Sequence, residues 1–133
     1  MKNIYLDIDG VLLANENFAA NGATEFLQAI LAKYPESTYW LTTHCQGDAS
    51  VPVQRLEQFF DERTVSLMDR IKPTTWKVAK TEAIDFSKDF LWFDDDLYDD
   101  EREALIANSA LGKWIEVDLY KDPNHLGELT KLL

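Results

Sequence analysis

The chain has 133 residues, of which 46% are hydrophobic, and this composition supports one globular domain with a substantial core and excludes general disorder. Its formal net charge of −11 disfavours nucleic acid and anionic membranes as partners, because both require a basic face. An anionic small substrate is not excluded, because a bound cation can reverse the local field.

The first third of the chain contains two predicted strands and one predicted helix. NIYLDI (3–8) has the β-branched and aromatic content that is typical of a strand. Residues 10–22 carry Gly at both ends and three Asn, which indicates a loop. Apolar residues at helical spacing predict a helix over 23–34, and STYWLTT (37–43) predicts a second strand.

The middle third is predicted to contain two helices and a weak strand. Apolar spacing favours a helix over 53–60, and the β-type run TVSLM (64–68) is interpreted as a third strand. A further helix is predicted over 74–86, because Pro73 disfavours an earlier start. This helix would lead the chain back to the next strand.

The last third continues the alternation of strands and helices. A fourth strand is predicted over 89–94, a helix with a surface cluster of acids in its first turn over 99–111, and a fifth strand over 113–117. A final helix is predicted over 123–133. The pattern predicts a doubly wound, Rossmann-like α/β/α fold with three layers and a central parallel sheet of about five strands, forming one domain over 1–133.

Polar side chains stand where three of these predicted strands end. The carboxyl ends of parallel strands share one edge of a sheet, and open α/β sheets bind ligands at that edge. Like charges that are crowded there repel each other unless a cation compensates them. The residues at these strand ends are Asp7, Asp9, Thr42, Thr43, Asp94, Asp95 and Asp96.

Four segments in this order resemble the motifs of the haloacid dehalogenase-like (HAD) hydrolase superfamily, in its phosphatase branch. IYLDIDGV (4–11) resembles the first motif, an apolar strand followed by Asp-x-Asp-Gly. TYWLTT (38–43) resembles the second, and WKVAKTEAI (76–84) would supply the lysine of the third. FLWFDDD (90–96) resembles the fourth, an apolar strand that ends in paired acids. The resemblance extends over most of the chain.

The resemblance implies a magnesium-dependent phosphatase that forms an aspartyl-phosphate. Asp7 would be the nucleophile, and Asp9 would act first as general acid and then as general base. Mg²⁺ would be held by Asp7, by the backbone carbonyl of Asp9, and by Asp94 or Asp95. The substrate would be a phosphate ester of unknown identity.

Two of the implied roles each have two candidate residues. Thr42 directly follows the apolar run and is preferred over Thr43 as the hydroxyl that donates to a phosphoryl oxygen. Lys77 lies in the first turn of the predicted helix and is preferred over Lys80 as the cation that offsets charge on the nucleophile. His44 and Cys45, which follow these threonines, are interpreted as loop residues.

The spacing of the core elements leaves no room for a cap domain. The resemblance then implies an open site that admits large phosphorylated substrates, and the acidic charge of the chain disfavours nucleic acid among them. Cys45 is the single cysteine, no apolar stretch approaches the roughly 20 residues of a membrane span, and MKNIYLDIDG lacks the pattern of a signal peptide. A cytoplasmic location is expected, and the oligomeric state stays open.

The alternative hypothesis is a module without turnover on the same fold, which accepts a phosphoryl group as receiver domains do, or binds a metal or a partner. Receiver domains also combine clustered Asp, Mg²⁺, Thr and Lys-Pro. Their acidic pair follows the first strand and their Lys-Pro follows the fifth. Here the acidic pair recurs after the fourth predicted strand, and IKP (71–73) precedes the third helix, so the order favours the hydrolase.

Overall fold

Four parallel strands form the central sheet in the computed structural model, which describes residues 2–133. A separate antiparallel hairpin lies in the segment 10–22 that was predicted to be a loop. The strands are β1 (Asn3–Leu6), β2 (Leu13–Asn15), β3 (Phe18–Ala19), β4 (Thr38–Trp40), β5 (Phe90–Asp94) and β6 (Trp114–Glu116). The order in the central sheet is β4-β1-β5-β6, and the hairpin pairs β2 with β3.

Helices flank this sheet, and none of those within residues 2–133 has the length and apolar character to cross a membrane. They are α1 (Ala23–Lys33), α2 (Ser50–Leu56), α3 (Glu62–Met68), α4 (Asp99–Ala107) and α5 (His125–Thr130), with 3₁₀ turns at Glu57–Phe59, Lys80–Ala83 and Leu111–Lys113. The predicted strands over 3–8, 37–43, 89–94 and 113–117 and the helices over 23–34, 53–60, 99–111 and 123–133 are confirmed, most of them with shorter bounds.

β1 occupies a central position, where the strand order reverses direction. Leu6 of β1 pairs with Trp40 of β4 on one side and with Phe93 of β5 on the other. The chain adds β4 beside β1 and later crosses to the opposite side of β1 to form β5. Such a switch opens a crevice at the carboxyl ends of the strands, and Asp7 directly follows β1.

Apolar clusters cover both sides of the central sheet because successive side chains of a strand point to opposite faces. Ile4 and Leu6 belong to the larger cluster, in which Phe26 of α1 packs edge-on against Phe93 with ring centroids 5.2 Å apart. Tyr5, which lies between Ile4 and Leu6, belongs to the second cluster. β1 therefore carries apolar residues at consecutive positions, as expected of a parallel strand buried on both faces.

The predicted third strand over 64–68 is wrong, because this segment lies in α3. Asp61 precedes the helix, and its carboxylate accepts a hydrogen bond from the backbone N–H of Thr64 at 2.9 Å. This N-cap and the acid Glu62 in the first turn stabilise a helix, and they outweigh the β-branched residues that suggested a strand. The sheet consequently has four parallel strands rather than five.

The predicted helix over 74–86 is also wrong, since only Lys80–Ala83 form a 3₁₀ turn. The carboxylate of Glu82 accepts hydrogen bonds from the backbone N–H groups of Lys77, Val78 and Ala79, at 3.1, 3.0 and 2.8 Å. These groups would otherwise bond along a helix, and Glu82 satisfies them in an irregular loop instead. This difference changes which lysine reaches the carboxyl edge of the sheet.

Candidate functional site

Carboxylates from β1 and β5 converge at the carboxyl edge of the sheet. Asp7 follows β1 and is 6% exposed, while Asp94 ends β5 and is 1% exposed. A cavity of about 280 Å³ opens at these residues. Its lining consists of Asp7, Asp9, Thr43, Trp76, Val78, Lys80, Asp94, Asp95, Asp96, Tyr98 and Glu101.

Asp94 is held by hydrogen bonds to both of its carboxylate oxygens. Oδ1 accepts from the backbone N–H groups of Asp95 and Asp96, at 2.8 and 3.3 Å. Oδ2 accepts from Trp92 Nε1 at 3.1 Å and from Lys80 Nζ at 2.7 Å. The orientation of this buried carboxylate is therefore fixed by the end of its own strand and by one lysine.

Lys80, and not the preferred Lys77, joins the carboxylates of β1 and β5. Its Nζ lies 2.7 Å from Asp94 Oδ2 and 3.4 Å from Asp7 Oδ2, and its side chain is 12% exposed. Burial opposes the charged form, but Asp7 and Asp94 outweigh it and raise the pKa of Lys80. The preference for Lys77 rested on a helix that does not form; Lys77 is exposed, outside the cavity lining.

The backbone at Lys80 is held by Glu101 of α4. One carboxylate oxygen of Glu101 accepts from the N–H of Lys80 at 3.1 Å, and the other accepts from the N–H of Tyr98 at 3.1 Å. Glu101 is 3% exposed, and its burial raises its pKa. The prediction that Glu101 belongs to a surface cluster of acids is therefore wrong, because this residue borders the cavity and ties α4 to the Lys80 loop.

Replacing Glu82 with Gln is expected to lower stability near pH 7, because an amide cannot accept all three N–H bonds of the loop. These bonds lower the pKa of Glu82, so their contribution is present above its ordinary pKa and is lost as pH falls through the lowered value. The urea midpoints of wild type and Glu82→Gln should differ at pH 7 and converge at strongly acidic pH. A constant difference, or an equal shift in Glu103→Gln on α4, would contradict this.

Three carboxyl groups at the site have electrostatics that favour a cation. Burial raises the pKa of Asp7, and burial together with the charge of Asp7 raises the pKa of Asp94 to about 7. Burial and the neighbouring Asp94 raise the pKa of Asp95 to about 6. Each of the three offers an oxygen, and these oxygens lie within 4.8 Å of one another. An all-oxygen set of this kind matches the ligand preference of Mg²⁺.

Gly10 allows Asp95 to approach the backbone that follows β1. Gly10 has a φ of 79°, in the left-handed region that favours glycine. A Cβ at this position would lie 2.2 Å from Oδ2 of Asp95. Glycine is therefore favoured at this position of the Asp-x-Asp-Gly segment, because any larger residue would collide with Asp95.

Replacing Gly10 with Ala is expected to destabilise the protein by about 1–3 kcal/mol. An alanine is strained at this positive φ, and its Cβ would force Asp95 to move. Gly112→Ala is the matched control, since a Cβ there meets nothing within 4 Å. Chemical unfolding measures the first effect, and titration calorimetry with Mg²⁺ measures whether displacing Asp95 weakens binding. Equal stability and equal Mg²⁺ affinity in the two variants would contradict the packing argument.

The two candidate threonines differ in burial and in the groups that they face. Thr42 is fully buried, and its hydroxyl accepts a hydrogen bond from the backbone N–H of His44 at 3.2 Å. Although burial dominates and raises the pKa of Asp7, the Thr42 hydroxyl is among the groups that act to lower it. Thr43 is exposed and borders the cavity.

The carboxylate of Asp9 contacts two residues that the sequence did not single out for the site. His44 Nε2 lies 2.7 Å from Asp9 Oδ2, and Arg55 of α2 donates to Asp9 Oδ1 at 3.3 Å. Burial would raise the pKa of Asp9, but the bonds from His44 and Arg55 lower it. The position of His44 two residues beyond Thr42 was a usable signal, whereas Arg55 gave none.

No family model matches this chain, and neither curated proteins nor solved structures include a significant match to it.

Proposed function

We propose that the protein is a Mg²⁺-dependent phosphohydrolase of the HAD type without a cap domain, which acts on a phosphate ester through an aspartyl-phosphate. The observation that supports this most strongly is the contact of Lys80 with both Asp7 and Asp94 at the carboxyl edge of the sheet. These residues lie in three of the four segments that resemble the HAD motifs, and they meet at the strand-order switch.

Mg²⁺ fits the donor set of the site. Asp7, Asp94 and Asp95 would hold it, and the resemblance adds the backbone carbonyl of Asp9. When bound, the ion would supply positive charge that offsets these carboxylates and the oxygens of a phosphoryl group.

The residues of the chain divide the proposed reaction between them. The Asp7 carboxylate attacks phosphorus, the bond from phosphorus to the leaving oxygen breaks, and Asp9 gives that oxygen a proton. Water then attacks the phosphorus of the aspartyl-phosphate while Asp9 takes a proton from it, which releases phosphate and restores Asp7. Lys80 offsets negative charge on Asp7 throughout.

The threonines are assigned by their burial. We propose that Thr42, which is fully buried beside Asp7, orients the nucleophile. Thr43 is exposed at the cavity and would donate its hydroxyl hydrogen to a phosphoryl oxygen. Under this assignment, Thr42 and Thr43 have separate roles and do not compete for one.

We also propose a fold type and a cellular location, each from its own observation. The strand-order switch at β1 and the apolar clusters on both sides of the sheet support a doubly wound, Rossmann-like arrangement. The single cysteine supports a reducing cytoplasm.

The test is phosphate release from a broad panel of phosphate esters, including phosphopeptides, with Mg²⁺ and with a chelator. We expect turnover that requires Mg²⁺. Turnover that is equal in the chelator would contradict the metal assignment, and no turnover on any ester would contradict the phosphohydrolase.

A second candidate function is a phospho-acceptor that keeps its phosphoryl group, and the contacts of Asp9 favour it. Both carboxylate oxygens of Asp9 already bind His44 and Arg55, and these contacts compete with transfer of a proton to a leaving group or from water. Incubation with acetyl phosphate and Mg²⁺, followed by intact mass spectrometry, separates the two candidates. A long-lived phosphoryl adduct on Asp7 supports the acceptor, and rapid loss of the adduct supports the hydrolase.

A further inference from the structure

Three of the residues that line the cavity have large apolar or aromatic side chains, and we call them the apolar wall: Trp76, Val78 and Tyr98. Val78 is 80% exposed and Tyr98 is 64% exposed, whereas Trp76 is half-buried and packs against the second apolar cluster. The wall borders the same cavity as Asp7 and Lys80. Apolar side chains that stay exposed beside a group of convergent polar residues are typical of a ligand site.

The backbone N–H of each wall residue donates a hydrogen bond to the side chain of another residue. The N–H of Trp76 donates to Gln46 Oε1 at 3.1 Å, that of Val78 to Glu82 at 3.0 Å, and that of Tyr98 to Glu101 at 3.1 Å. Three independent anchors hold the backbone of the wall at the cavity. A preorganised wall loses less entropy when a ligand packs against it.

The charges around the cavity restrict what can lie against the wall. Beyond Asp7 and Asp94, the lining includes the acids Asp9, Asp95, Asp96 and Glu101, and Lys80 is the one basic residue among the lining residues. A second phosphate or a carboxylate on the substrate would be repelled here, even with a divalent cation bound. A neutral group would not be repelled. The volume of about 280 Å³ lies at the small end of ligand pockets, which suits one compact ring.

We propose that the preferred substrates are phosphomonoesters whose leaving group carries a neutral aromatic ring close to the ester oxygen. The ring would pack on Trp76 and Tyr98 in an offset or edge-on arrangement while the phosphoryl group meets Asp7. This inference rests on the proposed phosphohydrolase, and the released product is the neutral alcohol that carries the ring, its oxygen having taken a proton from Asp9.

The first experiment compares esters whose leaving oxygens have similar basicity. Turnover of 2-phenylethyl phosphate is measured beside 2-cyclohexylethyl phosphate and n-butyl phosphate, all with Mg²⁺. These are all primary alkyl esters, so the intrinsic advantage of a phenol as leaving group does not enter. We expect kcat/KM to be about tenfold higher for the phenyl compound than for the cyclohexyl compound, from aromatic pairing at the wall.

A second experiment measures binding without turnover. Dissociation constants of 2-phenylethylphosphonate, 2-cyclohexylethylphosphonate and n-butylphosphonate are measured by calorimetry with Mg²⁺. The preference for the phenyl compound should disappear in Tyr98→Leu and remain in Tyr98→Phe. It should also remain in Phe18→Leu, the matched control, because Phe18 is 65% exposed on the β2–β3 hairpin and is not among the residues that line this cavity.

The outcomes separate this inference from the function on which it rests. Metal-dependent turnover with equal dissociation constants for the three phosphonates would overturn the aromatic preference and support the phosphohydrolase. Selective binding of the phenyl compound with no ester turned over would overturn the phosphohydrolase, and with it the aromatic substrate, and leave only a binding site. Selective binding and selective turnover together would support both.

Discussion

Replacing Asp7 with Asn is expected to reduce phosphate release by about 10⁴-fold or more, because an amide cannot form the acyl-phosphate. The same change should leave stability unchanged or raise it. Burial raises the pKa of Asp7 and its charge also disfavours the neighbouring Asp94, so a neutral side chain of the same shape relieves both costs. Steady-state phosphate release and urea unfolding measure the two effects.

A loss of activity without a loss of stability separates lost chemistry from lost folding. Asp69→Asn is the matched control, since Asp69 is exposed at the end of α3 and lies outside the cavity lining. It should retain wild-type turnover. Turnover that survives Asp7→Asn would exclude Asp7 as the nucleophile, and a large loss of stability in Asp7→Asn would contradict the electrostatic argument.

Replacing Lys80 with Met is expected to abolish activity and to destabilise the protein by about 3 kcal/mol. The change leaves two buried carboxylates, Asp7 and Asp94, without the cation that contacts both. The effect on activity has the same origin, because the nucleophile loses its adjacent positive charge. Phosphate release and urea unfolding in low-salt buffer without divalent cations provide the measurements.

Lys77→Met is the control for this prediction, since it removes the same charge from the same loop. Lys77 is exposed and its ammonium forms no ion pair within residues 2–133. We expect wild-type activity and stability in this variant. If Lys77→Met were as damaging as Lys80→Met, the placement of Lys80 at the site would be wrong.

The acids at the strand ends could be predicted from the sequence because the signal for them is local. An apolar run followed at once by Asp, as in NIYLD and FLWFD, indicates a buried strand whose next residue reaches the carboxyl edge. Parallel topology then brings Asp7 and Asp94 to one place without further information. The same reasoning placed Thr42 beside them.

The lysine, the buried glutamate and the partners of Asp9 depended on tertiary structure. Lys80 reaches Asp94 because Glu82 satisfies the preceding backbone in a loop and because Glu101, 21 residues along the chain, holds the N–H of Lys80. Arg55 contacts Asp9 across 46 residues of sequence.

The sequence by itself determined the sheet edge and the acids on it, since periodicity and turn residues act over a few neighbouring positions. Only the tertiary structure decided which cation faces the nucleophile, whereas the helix α3 is supported by a local signal, its N-cap Asp61. The physical reason is that side-chain contacts between distant segments can satisfy backbone and charged groups in ways that local propensity does not record.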